Sequence, residues 1–122
     1  MSFSTDLYTR LSSHAGLSAL VGDRIYPLRL PQNPTLPAVV YQRISGQRLQ
    51  NLDRNTDGPQ RIRVQLTAWA EDVDTANSVA EQVRLAMEAS TGWRALHALD
   101  VEQYEPDTGL YSVVADYQVH YP

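Results

Sequence analysis

Five arginines, Arg43, Arg48, Arg54, Arg61 and Arg63, crowd one short stretch of the chain. Each guanidinium offers a planar fork that suits a carboxylate or a phosphate, so the chemistry open to the group is charge pairing. The cluster stands out because the chain as a whole carries a net charge of −4 and all ten of its basic residues are Arg. Two origins for the all-Arg usage stand side by side: codon bias in a GC-rich genome, and selection for interfaces, where Arg outperforms Lys. The cluster likewise has two readings, a solvated strand face beside a polar segment, or a surface that pairs with acids on a neighbouring subunit. A net-negative domain is a poor start for nonspecific nucleic-acid binding, which works by neutralising phosphates.

Other residues with reactive side chains fit catalysis poorly. Ser12, Ser13 and His14 supply residue types for acyl transfer, but adjacent helical positions point apart and no glycines of a nucleophile elbow flank them. Glu71, Asp72 and Asp74 stand where a helix begins, so capping and the helix dipole explain them, and their spacing is not that of a calcium loop. His97 and His120 lack partners at metal-ligand spacing. Trp69 and Trp93 are not interleaved with basic residues as in base-stacking modules, which favours core or interface packing. The sequence therefore assigns no catalytic residue, no cofactor and no metal, and predicts a protein that is not an enzyme.

At 122 residues and 43% hydrophobic, the chain is the size of one domain with one core. It has no Cys, which excludes disulfides and Cys-ligated zinc. The start, Met-Ser-Phe-Ser-Thr-Asp, is not a basic segment followed by an apolar one, and no apolar run approaches the ~20 residues of a membrane span. The expectation is a soluble, unprocessed chain without a membrane partner.

The elements that must position these residues can be read from periodicity and punctuation. A helix is predicted over 5–13, with Ser4 as N-cap and Asp6 in the first turn. His14-Ala15-Gly16 interrupts it, and a further turn over 17–20 places Phe3, Leu7, Leu11, Leu17 and Leu20 in the core. Ile25-Tyr26 make a short extended contact, and the prolines at 27, 31, 34 and 37 keep the backbone extended until a strand over 38–44. Residues 47–60 are polar, rich in turn formers and without period, which predicts a long loop whose residues 48–58 are mobile in the free subunit and ordered on assembly. In the strand over 62–70, Ile62, Val64, Leu66, Ala68 and Ala70 alternate with Arg61, Arg63, Gln65, Thr67 and Trp69. A helix over 73–89, capped by Asp72 or Asp74, buries Val73, Ala76, Ala80, Val83 and Met87. A hairpin follows, 99–104 and 110–121, turned by Glu105-Pro106-Asp107-Thr108-Gly109. The fold class is α+β: a single domain over 1–122 in the order αββαββ, with two helices on one face of a four-stranded, mainly antiparallel sheet.

Val21-Gly22-Asp23-Arg24-Ile25-Tyr26-Pro27, Pro31-Gln32 and Pro37-Ala38-Val39-Val40-Tyr41 resemble segments of the tail-completion proteins of long-tailed bacteriophages, the group of tail-terminator and tail-to-head joining proteins. Trp69-Ala70, the run Tyr104-Glu105-Pro106-Asp107-Thr108-Gly109-Leu110-Tyr111, and Asp116-Tyr117 extend the resemblance over most of the chain. The segment 47–60 matches no motif of the family. The resemblance implies a structural virion or prophage protein, assembled in the host cytoplasm, that forms a ring, commonly of six subunits, at the head-proximal end of the tail. Its implied partners are copies of itself, the tail tube protein and the head connector, with DNA only as cargo in the lumen, which the arginines could face. A small nucleic-acid-binding α+β module and a small enzyme or ligand carrier are the alternatives.

Overall fold

The computed structural model describes residues 2–48, 59–89 and 92–122. At the centre of its sheet lie β3 (Gln60–Ala70) and β5 (Leu110–Tyr121), antiparallel to each other and in unbroken register from Gln60 opposite Tyr121 to Ala70 opposite Tyr111. Both strands alternate, so one face collects Ile62, Val64, Leu66, Ala68 and Ala70 with Val113, Ala115, Tyr117 and Val119, all buried. β2 (Ala38–Arg48) flanks β3 and β4 (Arg94–Glu105) flanks β5, both antiparallel. Outside β2 lies β1 (Ile25–Pro27), parallel to it, which gives the order β1-β2-β3-β5-β4.

Three helices close the apolar face. α1 (Phe3–Ser13) and α2 (Ala15–Val21) meet at His14, whose extended backbone ends one helix and begins the next. They bring Phe3, Leu7, Leu11, Leu17 and Val21 to the core, and α3 (Val73–Met87) adds Ala76, Val79, Val83, Ala86 and Met87. Leu20 and Ala80 are partly buried, while Val73 stays exposed. Asp72 caps α3 as the sequence suggests, its carboxylate accepting the backbone N–H of Thr75 at 2.7 Å. That bond and the Thr75 hydroxyl, which donates to the same carboxylate, hold its pKa below the usual Asp value.

Several expectations need correction. The sheet has five strands and is mixed, because Ile25–Pro27 pairs along β2, and three helices rather than two cover it. The N-cap of α1 is Ser2, whose hydroxyl accepts the N–H of Thr5, so the helix begins earlier than Ser4 would allow. Asp23-Arg24 does more than turn the chain. The Arg24 side chain donates to Leu20 O at the end of α2 and to Pro37 O just before β2, tying both ends of the proline-rich arm together. The predicted loop over 47–60 is shorter, since β2 runs to Arg48 and β3 starts at Gln60; residues 49–58 lie outside the described ones. β4 is twice the predicted length, and Gly109 takes the positive φ expected of the hairpin turn.

What the helices leave bare positions the surface of interest. The sheet's second face carries no helix, and β4 at the sheet's edge has every residue but Ala95 and Glu105 exposed.

Candidate functional site

On the helix-free face, the β2, β3 and β5 ends that share a rung with Arg61 form an open depression of about 320 Å³, lined by Ser45, Gln47, Arg61, Arg63, Gln118 and His120. β3 alternation sends Arg61 and Arg63 here because Ile62 and Val64 point to the core. Their environments differ. The Arg63 guanidinium donates to Asp116 Oδ2 at 2.6 Å, and Asp116, only 6% exposed, also accepts from Gln65 Nε2 at 3.4 Å. Arg63 thus neutralises a buried carboxylate of its own chain. Arg61 is exposed, and among the described residues it has no hydrogen-bond or ion-pair partner, so its charge is available to something outside the chain.

The other arginines of the cluster lie elsewhere. Arg43 pairs across the ladder with Val64, which puts it on the helix-bearing side, and its guanidinium folds back across Gly46 to donate to Gln60 Oε1 at 3.4 Å. Arg48 ends β2, its side chain outside the described residues, and Arg54 lies outside them altogether. The fold therefore brings together Arg61 and Arg63, separates Arg43 from them, and gives them His120 and Asp116 as neighbours.

Three features went unread in the sequence. The Arg63–Asp116 pair joins residues 53 positions apart, which no local pattern signals. On β4, Leu96, Leu99 and Val101 pair with Gln118, Asp116 and Val114, so three apolar side chains, 56%, 51% and 45% exposed, share the helix-free face. Near the N-terminus, Arg10 stacks 3.4 Å above the Trp93 ring and donates to Trp93 O at 2.8 Å, with burial pulling its pKa down. This makes Trp93 a core residue packed edge-on to Phe3, as expected of packing rather than base stacking. Trp69 lines a second depression of about 260 Å³ with Leu28, Leu30, Val40 and Thr67, where the proline-rich arm lies over the open face.

The catalytic candidates stay apart. Ser12 Oγ donates to Thr9 O, while His14 bonds Gln82 Oε1 at 3.1 Å, so no Ser–His contact exists between them. His97 pairs with Asp100 at 3.0 Å on its own strand. Among the described residues no three His, Asp or Glu side chains gather as a metal site. A cleft between α3 and β4 holds Arg84, His97 and Tyr117, and burial pushes the Tyr117 phenol well above its usual range, which keeps it neutral rather than reactive.

The family model of the tail completion protein gp17 matches residues 5–121. The chain belongs to this family of phage tail-completion proteins. It is thus a structural component of the phage tail. A chain in the virion of a native gene transfer agent particle has the same fold, with a TM-score of 0.66 over 93% of this chain and 90% of that one, at 15% identity. No curated protein matches the chain. For a tail-completion protein, a bare sheet face with exposed arginines and an exposed apolar strand offers contact surface.

Proposed function

We propose that this tail-completion protein forms a ring at the head-proximal end of the tail, stops growth of the tube and presents a joining surface to the head connector. The ring commonly has six subunits in proteins of this kind, and the parts are assembled in the host cytoplasm with DNA passing through the lumen as cargo. The observation that carries the reading is the family match over nearly the whole chain, taken with the helix-free face. Arg61 and Arg94, which flank His120 on one rung of that face, carry charge to spare among the described residues, and an acidic surface of the connector or a neighbour is their natural counterpart. The same reading gives the protein no catalytic role.

A knockout of the gene in its phage or prophage tests this directly. Free heads and unjoined tails should accumulate, and the wild-type gene supplied in trans should restore complete particles. Normal yields of complete particles from the knockout would contradict the proposal.

A further inference from the structure

The sheet has two unpaired edges. β1 covers β2 only from Val39 to Tyr41, with one further bond from Leu28 N to Tyr41 O, so among the described residues the outer edge of β2 from Gln42 to Arg48 has no strand beside it. On the other side β4 pairs with β5 alone along its 12 residues and holds four exposed large apolar side chains, Leu96, Leu99, Val101 and Tyr104. A long exposed edge of this kind is a template for another strand.

We infer that neighbouring copies join edge to edge, β4 of one against Gln42–Arg48 of the next. The inference rests on the ring reading and names the surfaces that would close it. The direction is right: β2 and β5 run alike and β3 and β4 run opposite to them, so a copy placed beside β4 with its sheet continuing presents β2 antiparallel. The two edges also match in detail. Each strand has one bulge, between Arg43 and Ser45 on β2 and between His97 and Leu99 on β4. With Arg43 opposite Asp100, the two bulges come level. Gln42 then faces Val101 on the helix-free side, Gly46 faces His97 on the helix side, and Gln47 faces Leu96 on the helix-free side, while β4 beyond Val101 splays away from β2, because β1 occupies the edge from Val39 to Tyr41.

Charge selects the same register. Arg43 has no acidic partner among the described residues, only the long bond to Gln60, and its exposed side chain can swing to Asp100, whose own-chain partner is His97 at 3.0 Å. Within one copy Asp100 shares its rung with Ala115, Leu66 and Tyr41, so the pairing offsets neighbours by two residues, about 7 Å. Such a stagger accompanies strands tilted to the axis of a closed ring. Because the two edges differ, the contact is heterologous and can propagate around a ring, which a two-fold β4–β4 contact cannot.

The absence of Cys makes the test clean. Gln42→Cys and Val101→Cys in one chain are separated by three strand spacings, about 14 Å, too far to bridge internally. Oxidation of the double variant, in isolated tails and in concentrated purified protein, should give a ladder of covalent multimers, while each single variant stays monomeric. Arg43→Asp should lower the multimer yield about tenfold, and adding Asp100→Arg should restore it. A dimer from Val101→Cys alone, or monomers only from the double variant in tails that contain the protein, would overturn the inference. The wild-type lane of the same tails shows whether the protein is present there, which separates failure of the tail reading. In that case purified double variant without multimers would overturn the edge pairing on its own.

Discussion

The two faces of the sheet are built from the same alternating strands, yet one is a dry core and the other keeps its charges. On the covered face, Leu66 and its neighbours on β3 and β5 meet the apolar sides of three helices. On the bare face, apolar Ala38 and Val40 are buried beside the polar Thr67, Ser112 and Asp116, and the last is held by Arg63. The difference teaches that burial alone does not mark a core here. The covered face is buried by apolar contact, which fixes the fold, whereas on the bare face the buried Asp116 carboxylate is satisfied by Arg63 and Gln65 within the sheet, which leaves Arg61 and the β4 edge open to partners.

The contrast can be broken or sharpened by substitution. The largest effect is expected on the covered face, where Leu66, 2% exposed, should cost about 2 to 5 kcal/mol as Leu66→Ala in urea unfolding. A loss below about 1 kcal/mol would remove that face from the core. Next comes Arg63→Glu, which faces a second carboxylate against buried Asp116. About 1 to 3 kcal/mol is expected, reduced from a fully buried pair because Arg63 is half exposed. Charge reversal at both Arg61 and Arg63 would therefore confound folding with joining, so the two arginines are best changed one at a time. Arg61→Glu should alter stability by less than about 0.5 kcal/mol, and equal losses at the two sites would erase the distinction drawn between them.

Asp72→Ala should lower the melting temperature at neutral pH by removing the cap of α3. Since the folded carboxylate has a depressed pKa, its contribution is present above the unfolded value of about 3.9 and is lost as pH falls through the lower folded value. The gap between wild type and variant should narrow below about pH 4, and a gap that widens there would contradict the capping account. The smallest effect is expected at Leu96→Gln on β4, within about 0.5 kcal/mol for the free subunit, because that side chain is 56% exposed and lies opposite Gln118. A loss as large as that of Leu66→Ala would mean the β4 edge belongs to the core.

Much of the fold was legible in the residues themselves. The alternation through Ile62 to Ala70 is undisturbed, the Asp72 cap precedes a clear helical period, and Pro106 with Gly109 specifies the hairpin turn. β1 was hidden because three residues ending in Pro27 are too short to show a period, and their partner is parallel and distant in sequence. β4 was half hidden because its bulge at Ala98 shifts the alternation between Leu96 and Leu99. The arginine cluster was legible as a cluster only. Which members share a face depends on the β2 bulge and on Asp116, neither of which is local to them.

The claim at the centre of this account is that the bare face joins tail to head through Arg61. Complementation of a knockout with Arg61→Glu, heads, tails and complete virions being counted separately, tests it with a variant expected to fold as wild type. The account predicts abundant free heads and tails and few complete virions; normal yields of complete virions from the folded variant would contradict it.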